Sequence, residues 1–160
     1  MLNKAVKPPF HSFYLQTGSW TRAFSDQTVK VIIAEGLNYC TEKEGMRIAG
    51  YLITVKILII VLEVHHGHAE ELLAAFEVWL SRKLREFAKL PANCNDKPLL
   101  IRGVLRDEQL IRLLTGRKVL LPYTDKKLTY LKELVSHADF CSAIDYSGAK
   151  GPVRLSVITY

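Results

Sequence analysis

Apolar and polar positions along the chain change period several times, and each change predicts an element. Pro9 to Thr17 is rich in aromatic residues and reads as a first strand closed by Gly18. Ser25-Asp26 then offers a helix N-cap, followed by Val29, Ile32, Ile33, Leu37 and Cys40 at three- and four-residue steps. That helix is expected to end near Gly45, where a polar run meets the residue best suited to the position past a helix end. Met46 to Val64 is nearly continuous apolar sequence, too long for one ordinary strand, and predicts two strands joined around Thr54 to Lys56. After His65-His66-Gly67-His68 the spacing of Leu72, Leu73, Phe76, Trp79, Leu80, Leu84 and Phe87 predicts an amphipathic helix that Pro91 stops. Glu70 and Glu71 in its first turn, and Arg82, Lys83, Arg85 and Lys89 in its second half, suit the helix dipole.

Beyond Pro91 the signals are shorter. Leu99 to Leu105 reads as a strand, Asp107 to Leu114 as a short helix ended by Gly116, and Val119 to Leu121 as a further short strand. Lys126 to His137 reads as helix, Ser147 to Pro152 as a turn, and Val153 to Tyr160 as a final strand. Together these predict an α+β domain spanning 1–160. Its strand-helix-strand-strand-helix core over residues 10–90 needs one more strand to give a ferredoxin-like antiparallel sheet with helices on one face. Residues 91–160 would complete or elaborate that core.

Composition narrows the class. The chain has 160 residues, enough for one domain with a sizeable core, and its 49% hydrophobic and 24% charged content argues against disorder. The apolar run Ile48 to Val64 is broken by Lys56 and is shorter than the roughly 20 residues of a membrane helix, so no membrane partner is expected. Met1 to Pro9 lacks an apolar core of signal-peptide length. Cys40, Cys94 and Cys141 are odd in number and widely spaced, which points to a reducing, cytoplasmic setting rather than to a disulfide framework or a zinc ribbon. The net charge of +6 is compatible with a nucleic-acid partner without requiring one.

The segment Phe10 to Leu90 resembles the small single-tyrosine transposases of insertion sequences and their REP-associated relatives. The residues that carry the resemblance are His11-Ser12-Phe13 on the first strand, Arg22 and Phe24-Ser25-Asp26 before the first helix, and Ala49-Gly50-Tyr51-Leu52-Ile53 leading into Thr54 to Val64. Ser81-Arg82 and Arg85-Glu86-Phe87 on the following helix add to it. In that family the second strand pair holds a Met-Pro-Asn-His-x-His-apolar signature whose histidines bind a divalent ion. Here the corresponding positions are Ile57 and Ile59. An aliphatic side chain has no lone pair for Mg²⁺ or Mn²⁺, so the resemblance implies a degenerate member without family-type DNA cleavage, metal or cofactor. It also implies a DNA partner, hairpin or single-stranded, and a homodimer in which sheets join, for which Met46 to Val64 offers an apolar surface. The family's nucleophilic tyrosine would fall on Tyr130, with Tyr123 second.

The remaining chemical candidates have bland readings beside the sharp ones. Arg22, Arg82, Arg85, Lys89, Lys126 and Lys127 could contact phosphates, or be solvated surface. Arg82 and Arg85, three residues apart, share a helix face. Trp20 and Tyr14 could stack on an unpaired base, although Tyr14 equally suits the core. His65, His66 and His68 offer imidazoles without a recognised ligand spacing, and read best as a solvated loop and helix cap. Without the metal pair, Tyr130 reads as a half-buried aromatic, and Cys40 as core. Cys141 could touch His137 one helical turn before it, with no further group to make a nucleophile site. A ferredoxin-like interaction or regulatory module with no nucleic-acid role is the alternative from another class.

Overall fold

A computed structural model describes residues 10–17, 26–64, 68–88, 100–117, 126, 129, 130, 132, 133, 140–146 and 150–156. Its main elements run β1 (Phe10–Thr17), α1 (Gln27–Lys43), β2 (Ile48–Ile53), β3 (Ile57–Glu63), α2 (Ala69–Ala88), β4 (Leu100–Val104) and α3 (Glu108–Leu114). The four strands form one antiparallel sheet in the order β2-β3-β1-β4, so the fold is α+β.

Local chemistry sets the boundaries. Asp26 caps α1, its Oδ1 accepting from Thr28 N–H at 2.8 Å, and α1 ends at Glu44 before Gly45, which takes φ 69°. Asp107 caps α3 in the same way through Leu110 N–H, and Gly116 follows that helix at φ 70°. The turn between β2 and β3 lies at Thr54 to Lys56 and is made by a threonine. Thr54 Oγ1 accepts from Lys56 N–H and Ile57 N–H, while Thr54 N–H donates to Ile57 O. A side chain thus supplies what an Asn-Gly backbone would otherwise provide.

The two helices of the residue 10–90 core share one face of the sheet, and the later helix α3 lies on the other. Along one face, Phe13, Leu15, Ile53, Leu58, Ile60 and Leu62 meet Ile33 and Leu37 of α1 and Leu73, Phe76, Leu80 and Leu84 of α2. Leu52 and Ile59, which point the other way, pack with Leu110 and Leu114 of α3 and with Cys141. All of β2 and the interior of β3 are therefore buried on both faces. This is the physical reason that Met46 to Val64 is a continuous apolar run and not an alternating one. Ile48 and Tyr51 share the α1–α2 side despite their odd spacing, because a bulge between Ile48 and Gly50 shifts the register by one residue.

The outer edge of β2 is also occupied. Ile53 N–H donates to Phe140 O and Ser142 N–H to Tyr51 O, both at 2.9 Å, and Ser156 N–H donates to Ile48 O at 2.8 Å. Ser142 Oγ further donates to Leu114 O at 2.6 Å, linking the end of α3 to the sheet. Here β2 and α3 come so close that a Cβ on Gly50 would lie 2.6 Å from Leu114 O. The helical turn Ala143–Tyr146 adds a bond from Tyr146 Oη to Ala49 O at 2.6 Å. The final strand expected from Val153 is absent over residues 153–156. That stretch is held instead by Asn38, which donates to Pro152 O and accepts from Arg154 N–H. Residues 119–121 and 157–160 lie outside the described residues.

Candidate nucleic-acid interface

Helix α2 presents its cations outward because Leu73, Phe76, Leu80 and Leu84 claim its inner face. Arg82 is exposed and has no ion pair or hydrogen bond among the described residues. Arg85 is half-buried and has interaction partners of its own. Lys83 is used locally: its Nζ lies 5.7 Å from the Trp79 ring centroid and 3.8 Å from Glu86 Oε2. Lys126 and Tyr130 are helical and exposed, Tyr130 at 63%, which corrects the expectation of a half-buried ring. Arg22, Lys89 and Lys127 lie outside the described residues, as do His65, His66, Tyr123, Trp20, Cys94 and His137.

Two of the expected readings meet the interior. Ile59 is 4% exposed and Ile57 half-buried, both in the apolar layer beneath α3, with Tyr14 beside them. Tyr14 belongs to that layer and not to an open stacking surface: its ring lies so close to Gly103 that a Cβ there would fall 2.0 Å from it. Tyr130 does not belong to this layer. Leu110, Leu114 and Cys141 thus fill the space beside the positions where the resemblance would require imidazoles and a phosphate. The β2–β3 pair, expected as an apolar surface for a partner, is likewise interior.

Titratable groups are dispersed. No three His, Cys, Asp or Glu among the described residues are arranged to hold a metal ion. His68 Nδ1 lies 3.3 Å from Glu71 Oε2 at the start of α2, on a cleft of about 530 Å³ bordered by Arg47 and Glu63, themselves 3.7 Å apart. Cys40 and Cys141 are buried, and burial pushes each thiol up to about 11. Burial also raises the Glu77 carboxyl; Arg102 opposes this and Glu70 adds to it. Arg102, reaching from β4, lies 2.8 Å from Glu70 and 3.6 Å from Glu77.

Sequence reasoning missed the surface where α1 meets α2. Tyr39 and Trp79 stack with centroids 5.8 Å apart, and with Val78 they border a groove of about 400 Å³ that Arg82 and Glu44 also line. Val78 is 73% exposed and Tyr39 42%. The signal was present in the sequence: Tyr39 stands on the polar side of α1, and Val78 lies off the apolar stripe of α2. Comparison with known proteins finds no family model and no curated protein that matches this chain. No helix among the described residues is long and apolar enough to cross a membrane.

Proposed function

We propose that this chain is a transposase-like nucleic-acid-binding domain, ferredoxin-like in plan with a C-terminal elaboration, that works without family-type metal-dependent strand cleavage. The element order and the sheet order β2-β3-β1-β4 support the plan. The loss of cleavage rests on Ile57 and Ile59, which lie in a packed apolar layer where a divalent ion would find no ligand. Binding rests on one observation: Arg82 stands outward on α2 with no ion pair or hydrogen bond among the described residues, in a chain with a surplus of six positive charges. Such contacts position a phosphate backbone without reading its sequence. A homodimer and a reducing, cytoplasmic setting complete the proposal.

The test is fluorescence anisotropy with hairpin and single-stranded DNA across a salt series, with and without Mn²⁺. Affinity should fall steeply with salt, ignore Mn²⁺, and weaken with a shallower salt slope when Arg82 and Arg85 are both changed to Glu. No binding at low salt would reject the reading. The groove of Tyr39, Val78 and Trp79 favours a second reading, a protein-interaction module with no nucleic-acid role. That module would leave salt-dependent DNA binding absent.

A further inference from the structure

We infer that the groove between α1 and α2 is the seat of a second copy of this chain, related by a twofold axis. Its floor is apolar, made by Tyr39, Ala75, Val78 and Trp79, while its rim carries one anion, Glu44, and one cation, Arg82. The helices run antiparallel, since Gly36 within α1 lies against Trp79 and Phe76, whereas Glu44 at its end borders the cleft with His68 and Leu72. Glu44 therefore stands toward the start of α2, near Ala75, and Arg82 toward its end. The separation along the helix is about 10 Å at 1.5 Å per residue.

An apolar centre with opposite charges at its two ends complements itself under a twofold rotation. Glu44 of each copy then meets Arg82 of the other, and the two Val78 side chains meet near the axis. Arg82 has no competing partner among the described residues, so it is available for that pair. Glu44 disfavours a phosphate backbone inside the groove, so a second copy is the better occupant there. Arg82 serves the partner's Glu44 in the dimer and a phosphate only in the monomer, so the two roles compete. Lys83 stays on Trp79 and Glu86 in its own chain and helps hold the aromatic floor in place. This arrangement differs from sheet-to-sheet joining, for which β2 has no open edge.

The experiment is sedimentation equilibrium of the full chain over a concentration series. The wild type should show a reversible monomer–dimer equilibrium. Val78→Asp, at a side chain 73% exposed and so neutral for folding by thermal melting, should weaken it about tenfold or more. Glu44→Arg and Arg82→Glu should each weaken it, and the double variant E44R/R82E should restore it to within about threefold, because the swap re-forms both pairs. A monomer at every concentration up to about 1 mM, or a double variant no better than the singles, would overturn the twofold groove interface. Arg85→Glu, outside the groove lining, should leave the dimer unchanged, so loss of DNA binding in that variant is separable from loss of the dimer.

Discussion

At the residue scale, a few polar groups do specific work inside an apolar protein. Ser142 is fully buried, yet it accepts from Tyr51 N–H at 2.9 Å and donates to Leu114 O, so one hydroxyl joins β2 to the end of α3. Glu77 is less well served. Its Oε1 is buried without a hydrogen bond among the described residues, and Arg102 Nε stands 3.6 Å away. With its folded pKa raised above the ordinary carboxylate value, Glu77 favours the fold while protonated, and that contribution is lost as pH rises through the folded pKa. Glu77→Gln removes the titration while Arg102 keeps Glu70. The stability of this variant relative to wild type should therefore improve as pH is raised from about 4 to 7, read by urea melts at each pH. A relative stability that falls over that range would show that Arg102 outweighs desolvation at this site.

At the element scale, the contact between α1 and α2 depends on a glycine inside a helix. Gly36 costs α1 some intrinsic stability, roughly 1 kcal/mol against alanine. It is retained where the helices cross, since a Cβ there would lie 2.6 Å from the Trp79 ring. Gly36→Val should accordingly destabilise the fold by about 1–3 kcal/mol in urea unfolding, and shift the Trp79 fluorescence as the ring is displaced. A neutral result would mean that Trp79 has room to turn. The boundaries of these elements were readable in advance wherever a side chain acts locally. Asp26 and Asp107 cap, Gly45 and Gly116 terminate, and the 3.6-residue spacing of Leu73, Phe76, Leu80 and Leu84 sets the inner face of α2. The strand expected over Val153 to Tyr160 does not form at residues 153–156, because β-type composition alone does not show whether a neighbouring strand is available. Asn38 and the edge of β2 hold that segment instead.

At the scale of the whole molecule, β2 and the interior of β3 are covered on both faces, and the buried thiols report on global opening. Cys40 and Cys141 are 1% and 0% exposed, and burial pushes both thiols up to about 11, so little thiolate exists at pH 8 while the fold is closed. In a Cys94→Ser background, labelling by an aromatic disulfide reagent at pH 8 should be slow in the native state, and should rise along the same urea transition as the loss of helix signal. Fast labelling without denaturant would show that the segment bearing Cys141 opens locally from β2.

The sequence by itself determined the α+β class, the strand-helix-strand-strand-helix order, the caps, and the absence of histidine at positions 57 and 59. All of these follow from nearest-neighbour chemistry or from a periodicity that one segment carries alone. Only the tertiary structure decided that α3 and Cys141 cover the second face of β2 and β3, and that β2 has its outer edge bonded to residues 140–142 and 156. It also decided that Tyr39, Val78 and Trp79 gather with Glu44 and Arg82 along one groove. Each of these joins residues far apart in the chain. A buried apolar run satisfies many partners equally well until packing, hydrogen-bond geometry and a glycine at the right crossing select one.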